Sequence, residues 1–307
     1  MDVADGFSHS GTLMPVFDPV SLRLFATVTL NGLTLASLYF IVASGFTLIF
    51  GLLRVVNMAH GSLYLLGAYL GYEIGNATGS WWLALLGSTL AVAAVGAALQ
   101  AALFGRMQGQ DVRQALAAIA VSIIAADLML AQWGGTTYQL TIPDLLQGFV
   151  AVPFARRYGM ARLGLIGLAA VLGAALWLLL RFTRLGLLIR AGVDDRSMLE
   201  ALGVDVPRVF LLVFALGAGL AGLAGAIGGS VLSISPGEDA RYLLSSLIVV
   251  IVGGMGSIAG AAIGAVMVGL AETYGLAYTP TYGVVYTFAL MVAVLAFRPR
   301  GLLGRSA

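Results

Sequence analysis

Three polar side chains open an otherwise apolar run in "RVVNMAHGSLYLLGAY", residues 54–69: Arg54, Asn57 and His60. Groups of these types can contact a passing solute, relay a proton or hold a bent backbone by hydrogen bonding. His60 has two readings at this level. It is a structural residue bonded to Asn57 or a neighbouring carbonyl, or it lines a passage, as ionisable groups within membranes often do. The remaining chemistry is sparse. A proton relay would need a chain of ionisable groups, and only Glu73, Asp127 and Glu272 stand in apolar surroundings. Asp127, in "SIIAADLMLAQW", is costly to bury unpaired and should face a cavity or an arginine. With two histidines and no cysteine, neither a metal site nor a disulfide is expected. Nothing reads as a nucleophile with its base. An enzyme is not expected, and no cofactor or nucleic-acid partner is implied.

The elements that position these groups must be membrane helices. The chain has 307 residues, 60% hydrophobic and 10% charged, against about one-quarter charged in a soluble domain. Uncharged runs cover 24–53, 74–105, 163–180, 209–237, 242–271 and 273–297. Each reaches or approaches the roughly 20 residues that a spanning helix needs. Strands of a membrane barrel would alternate over about 10 residues instead. The fold class is therefore all-α: a polytopic transmembrane helical bundle with about eight membrane segments, including broken or re-entrant helices. Candidate spans are 22–51, 56–76, 81–104, 111–133, 162–181, 206–234, 241–273 and 280–297. Many of the 41 glycines fall at small-xxx-small spacing, as in "GAGLAGLAGAIGGS", which lets helix backbones approach closely in lipid.

Arg181, Arg184, Arg190, Arg196 and Arg208 cluster in 181–208, so that loop is placed in the cytoplasm and the N-terminus outside. Eight full crossings would leave "RPRGLLGRSA" outside. If 241–273 enters and returns at "VGGMGSIAG", the tail ends inside and 11 of 16 arginines are cytoplasmic. Non-helical backbone of this kind is tolerated where it lines a cavity. Breaks in two halves point to a transport path built from inverted repeats. The expected passage residues are Asn57, His60, Ser62, Ser245, Ser246, Gly253 and Gly254. Residues 1–21 lack the basic start of a signal peptide and are read as a polar tail, and 22–304 as a single membrane domain.

The stretch "TRLGLLIRAGVDDRSMLEALGVDVPRVF", residues 183–210, is the most soluble in character. Asp194 or Asp195 can cap a short helix, and Gly203 can end it in a left-handed turn. Met198, Leu199 and Leu202 form an apolar patch between Arg196 and Glu200. Composition leaves two readings open: an interfacial loop at the headgroups, or a helix presented to a partner protein.

Four blocks, in order, resemble permease subunits of branched-chain amino-acid ABC importers, the LivH type. They are "GLTLASLYFIVASGFTLIFGLLRVVNMAHGSLYLLGAYLGY", "LGLLIRAGVDDRSMLEALGVDVPRV", "LIVVIVGGMGSIAGAAIGAVMVGLAE" and "FRPRGLLG". The tail at 1–21 and the loop at 136–160 diverge. The resemblance implies a multi-pass protein of the bacterial inner (plasma) membrane, in a heterodimeric core with a second, related permease. Two cytoplasmic ATPase subunits and an extracytoplasmic substrate-binding protein would complete the importer. It also implies a coupling segment at 183–208, carried by Arg190, Asp194, Asp195, Arg196, Met198, Leu199, Glu200 and Gly203. The solute would be a branched-chain amino acid or a related small polar molecule. The other readings are an ion-coupled secondary carrier acting alone and a scaffold without transport.

Lysine is absent; all 16 basic residues are arginine. A phosphate-binding P-loop requires lysine, so any ATPase must be a separate chain. The purified protein is expected to show no specific nucleotide binding by equilibrium dialysis with labelled ATP; saturable binding at micromolar ATP would contradict this.

Overall fold

A computed structural model describes residues 19–53, 56–152, 155–194 and 196–304. Five long helices come first: α1 (Pro19–Leu53), α2 (His60–Thr78), α3 (Trp81–Ala102), α4 (Asp111–Trp133) and α5 (Met160–Phe182). Two short ones, α6 (Arg184–Asp194) and α7 (Arg196–Ala201), precede α8 (Val206–Val231). The bundle closes with α9 (Glu238–Gly253), α10 (Ile258–Tyr278) and α11 (Gly283–Phe297). Among the described residues seven stretches, built on α1, α3, α4, α5, α8, α10 and α11, are long and apolar enough to cross a membrane. This is the polytopic bundle that the apolar runs imply. The two other membrane segments are different in kind. Helix α2 carries Glu73 and Asn76 within 19 residues. Helix α9 has 16 residues, about 24 Å, less than the hydrocarbon thickness of roughly 30 Å.

The expected break in 241–273 falls between α9 and α10. The amides of Leu302 and Leu303 donate to the carbonyls of Val252 and Gly253, each at 2.9 Å. The C-terminal tail therefore lies at the end of α9. Gly51, Arg190, Met255 and Leu303 line one cavity there, so the ends of α1, α6 and the tail share one face of the bundle. The opposite face carries a feature that the sequence left as loop: an antiparallel hairpin of β1 (Phe149–Val152) and β2 (Ala155–Gly159). The Tyr158 hydroxyl fastens it to α1, at 2.7 Å from Thr34 Oγ1 and 3.2 Å from Asn31 Oδ1.

Helices α1 and α8 form the interior. Within their membrane windows 83% and 67% of residues are buried, against 17% for α4, α5 and α11, whose outer faces are left to lipid or another chain. Helix α2 runs parallel to α8 at backbone contact. Gly67 meets Gly222, and one turn further along both helices Gly71 meets Ala226. A β-carbon at Gly67 would collide with the Gly222 backbone, which cannot retreat as a side-chain tip would. Gly167 on α5 has nothing within 4 Å of the same position. Gly67→Val should therefore cost about 1–3 kcal/mol or more through overpacking. Gly167→Ala should stay within about 1 kcal/mol of the parent. Thermal unfolding of the detergent-solubilised chain compares them, and equal melting temperatures would refute the packing argument.

Candidate functional site

The start of α2 lies deep in the bundle. His60 Nε2 is 3.0 Å from the Val42 carbonyl, and Val42 is about 16 Å along α1 from Leu53. A carbonyl only accepts, so Nε2 is the donor. The ring has no exposed surface and stands edge-on to Phe46. Asn57 forms the turn before it: its carbonyl accepts from the His60 amide at 3.1 Å and its Oδ1 from the Ala59 amide at 3.1 Å. Gly61 packs on the Asp239 carbonyl, and the Tyr64 and Tyr242 rings are 4.1 Å apart. The structure thus joins the N-terminal turns of the two short membrane helices, α2 and α9. The glycine break at Gly253–Gly256 lies at the other end of α9.

The other expected passage residues are buried in helix contacts. Ser62 Oγ is 2.9 Å from Ser122 Oγ on α4. Ser246 Oγ donates to the Leu243 carbonyl at 2.8 Å, and Ser245 is nearly covered, facing the Tyr39 hydroxyl. Gly253 lies against Gly260, and Gly254, at φ 106°, against Gly304 of the tail. None of the seven lines the cavity of about 550 Å³ on the hairpin side.

That cavity is where the charges converge. Helices α9 and α10 pack antiparallel through Gly253 on Gly260 and Gly264 on Val249. The same register, two turns on, sets Arg241 opposite Glu272. Helix α10 lies antiparallel on α1 through Gly269 at Ala36 and Gly32 at Leu270, which brings Tyr39 to the pair. Arg241 Nη2 donates to Glu272 Oε1 at 3.3 Å, and Tyr39 Oη donates to Glu272 Oε2 at 2.7 Å. Glu238, one turn before Arg241, approaches it to 3.6 Å. Arg162, on the first turn of α5, donates to Asn31 Oδ1 at 2.9 Å. Arg162, Glu238 and Arg241 all line the cavity.

A second cavity, of about 470 Å³, opens on the opposite side, lined by Thr47, Gly51, Arg190 and Met255 among others. Both cavities lie along α1, and the stretch between them is closed: Tyr39, Ile41, Val42 and Ala43 have no exposed surface. The arrangement is two vestibules separated by a packed septum.

The sequence reading missed this charge cluster, whose members stand at the ends of apolar runs or, in the case of Glu272, between two of them. Nor do the three carboxylates form a relay. Glu272 is engaged by Arg241 and Tyr39, and Glu73 accepts from Trp133 Nε1 at 2.9 Å. Asp127, expected to meet a cavity or an arginine, is exposed on α4 and has no polar partner among the described residues.

The segment between α5 and α8 is held from below. Ile189 and Leu199 are buried with Leu48, Leu52, Leu176 and Val206. Arg190 donates to the Leu180 carbonyl. Gly203, at φ 79°, ends α7: its amide bonds the Glu200 carbonyl, and the Val204 amide bonds that of Leu199, the double closure of a Schellman turn. Leu199, expected on the presented patch, points inward at 6% exposure, whereas Met198 and Leu202 stand 59% and 71% exposed. The cap expected at Asp194 or Asp195 falls outside what is described: Asp195 lies outside the described residues, as do the side chains of Asp194 and Arg196.

Residues 28–295 match the protein family described as "Branched-chain amino acid transport system / permease component". The chain belongs to this family. It is 32% identical over 298 residues to the high-affinity branched-chain amino acid transport system permease protein LivH of Escherichia coli K12, covering 90% of this chain and 94% of that one. The corresponding protein BraD of Pseudomonas aeruginosa is 28% identical over 292 residues, with the same coverage. A probable LivH permease of Methanocaldococcus jannaschii is 28% identical over 290 residues, covering 88% and 89%. No solved structure gives a significant match. As a permease component the chain is a multi-pass membrane subunit of a transporter and not an enzyme, and such subunits work with separate ATPases.

Removing the counter-charge of a nearly buried carboxylate leaves that charge uncompensated, and the 48% exposure of Arg241 keeps the cost below the roughly 3–5 kcal/mol typical of a fully buried pair. Glu272 is 10% exposed and Arg241 is its counter-charge. Arg241→Ala should therefore sharply lower the melting temperature and yield of the chain. The Arg241→Ala/Glu272→Ala double variant should lose less than the sum of the single changes. A double-mutant cycle measures the difference, and strict additivity would show that the two charges do not act as a pair.

Proposed function

We propose that this chain is one of two related permeases forming the heterodimeric core of an ATP-driven importer in the inner membrane. Two ATPase subunits dock on the side of α6 and α7. A substrate-binding protein docks on the hairpin side and delivers leucine-like amino acids or a closely related small solute. The names of the relatives support the solute class, and arginine-rich loops on the α6–α7 side support the orientation. Residues 22–304 act as one permease domain. Asn57, His60, Ser62, Ser245, Ser246, Gly253 and Gly254, on the short helices α2 and α9 or at their ends, wall the passage in this reading.

The observation that carries the reading is the anchored pair α6–α7. A loop that only floated at the headgroups would not need Leu199 and Ile189 sunk into the bundle. A segment that must transmit motion does, while it presents Met198 and Leu202 outward. Arg190, Asp194, Asp195, Arg196, Glu200 and Gly203 complete the coupling segment in this reading.

Truncating a central interface anchor typically costs upward of 2 kcal/mol, roughly thirtyfold in affinity. Met198→Asp with Leu202→Asp, or Arg196→Ala with Glu200→Ala, should abolish substrate-stimulated ATP hydrolysis by the reconstituted importer and pull-down of the ATPase. The membrane subunits should still assemble. Leu199→Asp, by contrast, should destabilise the permease itself. Unimpaired coupling in both double variants would return the segment to an interfacial loop.

A further inference from the structure

The cavity on the hairpin side has an unusual balance of charge. Arg241 stands between Glu272 at 3.3 Å and Glu238 at 3.6 Å, so one guanidinium serves two carboxylates. Glu272 is 10% exposed and also held by Tyr39; Glu238 is 25% exposed and lines the cavity. The buried carboxylate is the one that Arg241 neutralises, which leaves a net negative charge at Glu238. Across the cavity Arg162 is fixed by the neutral Asn31 amide, and among the described residues no carboxylate lies within ion-pair distance of it. The cavity therefore presents one cation and one anion, each on a separate helix, neither compensated by the other.

Between these charges the lining is mixed: Leu35, Leu38, Leu165 and Val231 supply an apolar part, and Thr34, Ser233 and Thr273 supply hydroxyls. The volume of about 550 Å³ lies within the range of small-molecule sites, roughly 300–1,000 Å³. A simple anion would meet Glu238, a simple cation would meet Arg162, and a neutral solute would leave both charges unanswered. We propose that this cavity is a transit site within the permease for a zwitterionic aliphatic α-amino acid. Arg162 takes the carboxylate, Glu238 takes the ammonium group, and the leucine and valine side chains receive the aliphatic chain. Arg241 is a positioning residue that fixes α9 to α10 and aims Glu238. The proposal rests on the importer reading above and adds a solute contact made by the permease itself rather than by the binding protein.

The test uses the assembled core of both permeases and both ATPases, nucleotide-free and without binding protein. Binding of tritiated L-leucine is measured with two competitors: leucinol, which lacks the carboxylate, and 4-methylpentanoate, which lacks the ammonium group. The intact core should prefer leucine to both. A charge-assisted hydrogen bond lost in Arg162→Gln or Glu238→Gln should weaken leucine binding roughly tenfold or more. Arg162→Gln should leave leucinol affinity unchanged, and Glu238→Gln that of 4-methylpentanoate. Arg162→Lys and Glu238→Asp should recover part of the loss. Gel filtration shows that each variant core is intact. The proposal is overturned if intact variant cores bind leucine like the parent, or lose leucine and both analogues equally. Failure of the importer reading looks different: the complete wild-type importer would hydrolyse ATP and take up no leucine. Leucine uptake with unaltered analogue selectivity in the variants would overturn the cavity assignment alone.

Discussion

A helix that begins inside a bilayer leaves the amides of its first turn without intrahelical carbonyls, and lipid offers no water to satisfy them. Helix α2 begins this way at His60, and most of the architecture answers that one constraint. Asn57 supplies a carbonyl and a side-chain oxygen to the amides of the turn, and His60 ties the turn to Val42. The turn is then sealed from lipid, with α1 and α8 as the most buried helices of the protein. Such sealing needs close approach, and glycine provides it where α2 touches α8 at Gly67 and Gly222, and where Gly61 rests on the Asp239 carbonyl. The short helices α2 and α9 exist as inserted elements because long, continuous ones enclose them.

The second consequence concerns charge. An unpaired ion in a membrane protein is costly and normally faces the bundle interior. Arg241 and Glu272 satisfy this by meeting each other across the α9–α10 pair, with the Tyr39 hydroxyl as a third point on α1. The contact does not have to add net stability to be structurally decisive, since a buried pair can do little better than offset its own desolvation. Its effect is to fix register. Sliding α9 past α10 by one turn would strand both charges, so the pair holds the short helix at one depth.

Membrane spans were legible because lipid imposes a strong compositional signal: the uncharged runs mark the long helices, and "VGGMGSIAG" marks the turn between α9 and α10. Gly203 was legible too, since only a left-handed C-cap explains glycine just after a short capped segment. The misreadings are equally physical. The break at Gly253–Gly254 suggested open backbone, whereas the amides of Leu302 and Leu303, fifty residues along the chain, engage the carbonyls of Val252 and Gly253. Leu199 was assigned to the outer patch because a six-residue helix is too short for periodicity to reveal its inner face. The hairpin at 149–159 carries "FVAV" and "ARRYG", whose strand character lies in pairing and in the Tyr158 anchor rather than in alternation. The cavity was hidden for the deepest reason: Asn31, Arg162, Arg241 and Glu272 are scattered over most of the chain, and only helix register makes them neighbours.

The same register determines how force applied at one face could reach the other. Leu199 on α7 is buried in one cluster with Leu48 and Leu52 of α1 and with Val206 of α8, so a displacement of α7 is delivered to the two most buried helices. Helix α1 is unbroken for 35 residues and borders both cavities. It also carries the septum of Tyr39 to Ala43. A rigid helix cannot open one vestibule by bending, because packed cores shift between discrete arrangements rather than deform continuously. It can shift against a neighbour, and the short membrane helix beside it is α9. Its contacts with α1 include the Tyr242 ring against the Tyr39 ring at 6.0 Å, whereas α8 holds α1 by backbone contact at Gly45 and Gly217, and α10 holds α9 the same way at Gly253 and Gly260. Side-chain contacts beside open cavities give way before interlocked glycine backbones do. The α1–α9 seam is therefore the side of the septum held by exchangeable contacts, and the Arg241–Glu272–Tyr39 cluster beside it joins α9, α10 and α1 at one register.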